Sequence, residues 1–247
     1  MTAKKRAGMA IMVILFILIF DQALKIWIKT SFEPNQAQNL IGSWFRLLYV
    51  ENQGMAFGAT FGSGMYAKLF LSIFRLIAVG FGTYYLIQVI KDNEKKWGYV
   101  LAISLVLAGA TGNLLDSAFY DYIFPFDPNL PYNWISNGNN FIFTDGTPDL
   151  RAHGFLLGNV VDMFQFNVQY PEWVPYLAGR DVFSAIWNVA DASIFCGIML
   201  ILIRQRAFFP SQKNEPLNDD ATDSSAQKED SANGMQESRI GDEDDIK

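Results

Sequence analysis

FSAIWNVADASIFCGIMLILIRQR, residues 183–206, is an apolar run long enough to cross a bilayer as a helix, yet it carries an aspartate, Asp191, in its upper half. A carboxylate in hydrocarbon costs several kcal/mol unless it is protonated, paired or at the edge of a water-filled site. The run therefore indicates a membrane protein and marks Asp191 as a residue with a purpose.

The rest of the chain agrees on the class. Of 247 residues, 51% are hydrophobic, and they gather in long runs instead of alternating with polar ones. The net charge of -6 is uneven: from Pro210 onward 11 Asp and Glu stand against 4 Lys and Arg, whereas residues 1–209 carry 14 against 15. Residues 210–247 read as a disordered acidic tail. The single cysteine, Cys196, excludes an intramolecular disulfide and reads as a small packed residue. The single histidine, His153, leaves no cluster with metal-ligand spacing, so neither metal nor other cofactor is expected.

Four segments, about 8–28, 66–90, 97–117 and 183–203, meet the length of about 20 residues that a spanning helix needs. Basic residues at Lys4, Lys5 and Arg6, at Lys91, Lys95 and Lys96, and at Arg204 and Arg206 fall on one side of this arrangement. The positive-inside rule makes that side, and both termini, cytoplasmic. The first run lacks a small-x-small cleavage site and is retained. Two outer loops follow, about 29–65 and 118–182, the second long and rich in Asn, Pro, Gly and aromatic residues. The expected fold is an all-α polytopic membrane protein, residues 1–209, with four transmembrane helices.

Counting from the basic ends at 1.5 Å per residue places Asp21 and Asp191 at similar depth, about 20 Å up their helices. Asp116 falls near the outer end of the third span with Asn113 one turn below it on the same face. Asp21 and Lys25 have i, i+4 spacing, which suits an internal ion pair that fixes packing as well as it suits a substrate role. Lys68 snorkels outward in this reading, while Arg75, deeper, needs a partner or a lipid phosphate. No basic residue lies within a turn of Asp191, so its partner belongs to another element. If Asp162, in the outer-loop stretch GNVVDMFQF, descends to it, two carboxylates share one site and repulsion plus desolvation keeps one protonated beside one ionised. That is the state in which an aspartic protease activates water.

These residues resemble the motifs of the lipoprotein signal peptidases (signal peptidase II). The resemblance lies in Asp21 and Lys25 of DQALK, Asn52, Gly54, Ala56 and Phe57 of ENQGMAFGA, Gly112, Asn113 and Asp116 of GATGNLLD, Asp162 of VVDMF, and Asn188, Ala190 and Asp191 of WNVADASI. It implies an aspartic endopeptidase of the bacterial inner membrane, active toward the outer face, that cuts diacylglyceryl-modified prolipoproteins before the lipidated cysteine. It also implies Asp162 and Asp191 as the catalytic pair, Asn52, Gly54, Asn113, Asp116, Asn188, Asp21 and Lys25 as binding or supporting residues, and a small extracytoplasmic β-element around Asn52. Expected partners are the prolipoprotein and membrane lipids, with a cyclic peptide inhibitor of the globomycin type by the same resemblance; no nucleic acid is expected, and the chain reads as a monomer.

Two features depart from the pattern. Ser117 stands where many members have an arginine, and Arg151, Arg180 and Arg75 are the candidates to replace that cation. The 46-residue interval between Asp116 and Asp162 is unusually long and makes the second outer loop an enlarged one, read as a lid ahead of a contact surface.

A proton-coupled transporter also places aspartates in helices, but the chain has few spans, no internal repeat, and polar residues gathered toward one end. A serine protease has only His153 to call on, and a non-catalytic scaffold leaves Asp191 and Asn188 without a purpose.

Overall fold

The structure is a computed structural model that describes residues 1–33, 35–52, 65–124 and 154–209. Its elements run α1 (Ala3–Ser31), β1 (Ala37–Ile41), β2 (Phe45–Asn52), α2 (Met65–Lys91), α3 (Trp97–Ile123), β3 (Val160–Phe166), β4 (Ile186–Trp187), α4 (Val189–Ile203) and α5 (Gln205–Phe208). Gly54, Ala56, Phe57, Arg151, His153 and the acidic tail lie outside the described residues.

Among the described residues, α1, α2 and α3 are long and apolar enough to cross a membrane. A helix satisfies its backbone within one segment, which hydrocarbon demands. Their outer faces are apolar and uncovered: Ile11, Met12, Phe16 and Ile19 of α1 and Phe70, Ile77 and Phe81 of α2 are all exposed. α3 instead buries much of its length, with Val100, Ala102, Ala108 and Asp116 wholly enclosed, because α1, α2 and α4 all pack on it.

The fourth expected span, 183–203, is corrected by the structure. The helix begins only at Val189 and has 15 residues, too short to count with the other three. Residues 186–187 are strand, and Asn188 starts the helix. The cause is a capping box: the Asn188 side chain accepts the Asp191 N–H at 2.9 Å, and the Asp191 carboxylate accepts the Asn188 N–H at 3.2 Å. Asp191 thus sits in the first turn of α4, not partway up a helix. The other helices run a little longer than expected, α1 to Ser31 and α3 to Ile123.

The β-element is a four-stranded antiparallel sheet in the order β1-β2-β3-β4. Val50 pairs with Asp162 and Asn52 with Val160, so the ends of β2 and the start of β3 lie side by side. Leu47, Tyr49, Val161 and Met163 pack from the sheet onto Ile28 and Phe32 at the end of α1 and Tyr120 of α3. A separate core at the opposite end of the bundle gathers Ala10, Leu86, Val89, Tyr99, Val100 and Phe208. There Arg6 donates to the carbonyls of Val89, Asp92 and Lys95 at 3.1, 2.6 and 2.8 Å. It closes the C-terminal end of α2, whose last carbonyls have no partner within the helix.

α3 and α4 approach at Gly109, where any Cβ would run into the Ala190 carbonyl and the Ser193 and Ile194 side chains. In lipid, where apolar side chains gain little by leaving the solvent, such backbone proximity is what binds helices. It also presses the first turn of α4, with Asp191, against the middle of α3.

Candidate active site

At the sheet end of the bundle, side chains from α1, α3, β2, β3 and α4 meet in one polar network. Its base is Lys25, fully buried, whose ammonium pairs with Asp21 at 2.9 Å and Asp116 at 2.7 Å and donates to Asn113 Oδ1 at 2.9 Å. Three donors find three acceptors. The remaining carboxylate oxygens are also used. Asp21 accepts the backbone N–H of Ala190 at 2.9 Å, and Asp116 accepts Gln22 Nε2 at 2.8 Å and the Val161 N–H at 3.4 Å. Gln22 is itself held by the Tyr120 hydroxyl at 3.1 Å. The i, i+4 pair is therefore present, buried, and part of a three-residue ionic cluster.

Two amides lead from this base to the upper aspartates. Asn113 must turn its oxygen toward Lys25, which has only donors, so its Nδ2 faces Asp191 and donates to Oδ1 at 2.8 Å. Asn188 must turn its oxygen toward the Asp191 N–H, so its Nδ2 faces Asp162 and donates to Oδ1 at 2.7 Å. Asn52, at the end of β2, donates to the other Asp162 oxygen at 3.0 Å. Asp162 and Asp191 are thus brought together around Asn188, one on a central strand, the other at a helix start. Burial pushes the Asp162 carboxyl up to about 8, and the neighbouring Asp191 charge adds to this, against the opposing pull of Asn52, Lys25 and Asn188.

A second network flanks the first. Glu51, buried beside Asn52, accepts Lys29, the Tyr49 hydroxyl at 2.6 Å and Asn159 Nδ2 at 3.1 Å. Burial alone would raise the Glu51 carboxyl; Lys29, Tyr49 and Asn159 overturn that and hold it below the usual range. Lys68 donates to Asn159 Oδ1 and is buried, so it does not snorkel outward as its sequence position had suggested. Cys196 is likewise exposed on the outside of α4, not packed within.

Beyond Asp116, Gly158 runs so close to the helix that a Cβ would collide with the Asp116 carbonyl, while its N–H donates to Ser117 O at 2.9 Å. This contact delivers the chain to β3 and sets the position of Asp162. Of the arginines considered for the cation absent at Ser117, Arg75 reaches it, donating to Ser117 Oγ at 3.3 Å. Arg180 is exposed in the turn after Tyr170, and Arg151 lies outside the described residues.

Sequence reasoning did not single out Gln22, Glu51, Asn159 or the Ala190 amide. Asn159 belongs to the same GNVVD stretch as Asp162, a signal that was available; the Gln22 contacts depend on helix packing and left none.

A bundle of apolar helices closed at one end by a small antiparallel sheet, with buried carboxylates between them, defines a polytopic membrane enzyme. The chain belongs to the signal peptidase II family: that family's model, described as signal peptidase (SPase) II, matches residues 13–207. It is 34% identical over 195 residues to a lipoprotein signal peptidase of Porphyromonas gingivalis ATCC 33277, covering 77% of this chain and 79% of the relative. A lipoprotein signal peptidase of Amoebophilus asiaticus strain 5a2 is 34% identical over 210 residues, 81% of this chain and 80% of the relative. In fold, the chain is similar to a solved bacterial membrane enzyme, with a TM-score of 0.50 at 22% identity over 84% of this chain and 93% of that one.

Proposed function

We propose that this protein removes signal peptides from diacylglyceryl-modified prolipoproteins in the bacterial inner membrane, cutting before the lipidated cysteine with a water activated by Asp162 and Asp191. Membership of the signal peptidase II family supports the substrate class. The observation that carries the mechanism is the meeting of two carboxylates at one residue, Asn188, whose side-chain amide donates to Asp162 and whose backbone N–H donates to Asp191, with Asp162 pushed toward its protonated form.

The division of labour follows from Asp162 holding the shared proton. Asp191 accepts N–H groups from Asn113 and from the Asn188 backbone at the start of α4. It takes a proton from water as the oxygen attacks the scissile carbonyl carbon, while Asp162 gives its proton to the carbonyl oxygen. The tetrahedral diol then collapses: Asp162 takes a proton from one diol hydroxyl, the C–N bond breaks as Asp191 gives its proton to the departing cysteine nitrogen, and the signal peptide leaves with a new carboxyl group. Asn52, Asn113 and Asn188 hold the two aspartates in their different roles, and Lys25, Asp21 and Asp116 hold Asn113 and the start of α4.

The test is cleavage of a diacylglyceryl-modified prolipoprotein by purified wild type, Asp162→Asn and Asp191→Asn, beside an unlipidated substrate and with a chelator added. Activity confined to wild type and lipidated substrate, insensitive to the chelator, is expected. Each variant should lose about 10²-fold or more, the usual contribution of a general acid or base. Cleavage by either variant, or its arrest by the chelator, would end the two-aspartate reading. Truncation after Pro210 should leave cleavage intact.

A further inference from the structure

α2 carries two cations in its first half, Lys68 and Arg75. Seven residues are about two helical turns, so both face the same way, toward α3 and the sheet. Lys68 is committed to Asn159, while Arg75 donates to Ser117 Oγ. Ser117 is only 2% exposed, and its own hydroxyl donates to Asn113 O at 3.2 Å, the residue whose amide holds Asp191. An arginine within an apolar helix is costly and belongs where it meets charge. Burial disfavours the Arg75 charge, and the negative charges that oppose this are Asp191, Asp116 and Asp162.

Counting charge shows what the arginine adds. Asp21, Asp116 and Lys25 sum to one negative charge, and Asp162 and Asp191 sharing one proton contribute another. Lys68 and Lys29 are engaged with Asn159 and Glu51 on the flanking network. Lys29 cancels Glu51, whereas Lys68 on the neutral Asn159 leaves one positive charge there, so without Arg75 the two networks together would hold one net negative charge in a medium that screens it poorly.

We propose that Arg75 is a positioning residue for the aspartate pair: from α2 its guanidinium reaches Ser117, steadies the turn of α3 that carries Asn113, and brings a positive charge that keeps one of the two carboxylates ionised. This rests on the two-aspartate reading above. A neighbouring cation favours the ionised carboxylate, so its loss lets the pair hold protons to higher pH and moves both limbs of the pH profile upward.

The experiment measures kcat and KM against pH for full-length wild type, Arg75→Lys, Arg75→Gln and the double variant Arg75→Ala with Ser117→Arg, on a lipidated prolipoprotein. The double variant returns the cation from the residue that Arg75 touches. Arg75→Gln should lose kcat with KM little changed, and its acid limb should rise by about one pH unit. Arg75→Lys and the double variant should bring the limb back. A limb that stays at its wild-type position in Arg75→Gln overturns the proposal, even if activity falls. Should Arg75→Gln fail to fold, a folded double variant with an unrestored limb overturns it equally. Inactivity of the wild type, or activity in Asp162→Asn, strikes the two-aspartate reading instead and takes this inference with it.

Discussion

The Asp21 carboxylate on α1 accepts the backbone N–H of Ala190 in the first turn of α4, so a side chain from one helix completes the N-terminus of another. The same carboxylate pairs with Lys25. The ionic cluster therefore fixes where α4 begins, and Asp191 follows one residue later.

Removing Lys25 should cost more than removing the Asp21 charge. Lys25→Met leaves Asp21 and Asp116 buried without a cation, for which a loss of about 3–5 kcal/mol is expected. Asp21→Asn keeps an acceptor for Ala190 and leaves Lys25 with Asp116. Thermal unfolding of both variants in one detergent should rank Lys25→Met the less stable; equal melting points would refute a cluster held by its central cation.

Asn188 caps a helix and contacts Asp162 of the candidate site at once, and the two contacts separate by substitution. Asn188→Ser keeps an oxygen for the Asp191 N–H but gives up the amide on Asp162; Asn188→Ala gives up both. Stability should fall by about 1 kcal/mol in the alanine variant and much less in the serine variant. Cleavage should drop in both. A serine variant with wild-type turnover would show that the Asp162 contact is dispensable.

Protonation of Asp162 has a definite sign. Folded, it keeps its proton up to about 8; unfolded, it releases it near about 4. The folded chain binds more protons in between, so this contribution to stability is full below about 4 and is lost as pH rises through about 8. As the acid of the proposed mechanism, Asp162 should give kcat an alkaline limb near the same pH. Asn52 donates to it and favours the ionised form, so Asn52→Ala should move that limb upward. A downward move would reverse the assigned role of Asn52.

Packing at Gly109 should matter to turnover. Gly109→Leu drives a side chain into the Ala190 carbonyl and pushes α4 from α3. Membrane insertion should persist while activity falls by at least about tenfold, since small misplacements of reacting groups are costly. Unchanged activity in a liposome assay would mean that the helices tolerate separation.

Much of this arrangement was legible in the residues. The spacing of Asp21 and Lys25 foretold their ion pair, and the apolar runs foretold three long helices. The start of α4 did not follow from hydropathy, because FSAIW is as apolar as a helix; only the Asn-x-x-Asp spacing from 188 to 191 signals the cap. Asp116 as a partner of Lys25, Gln22 on Asp116 and Arg75 on Ser117 depend on how helices rotate against one another, which no single segment records. The long interval before Asp162 concealed that it leads into a central strand, although the alternation in VVDMFQF was there to be read.

The brevity of α4 has a geometric consequence. Its 15 residues are about 22 Å long, well short of the roughly 30 Å of hydrocarbon in a typical bilayer. With the C-terminal end of α4 at the cytoplasmic face, as the basic Arg204 and Arg206 lead one to expect, Asp191 at its N-terminal end would be recessed within the thickness of the membrane. For a peptide tethered by acyl chains, the bond beside the tether already lies at such a depth. On the proposed function, the substrate need not be lifted out of the lipid: water and the two carboxylates would meet it at that depth.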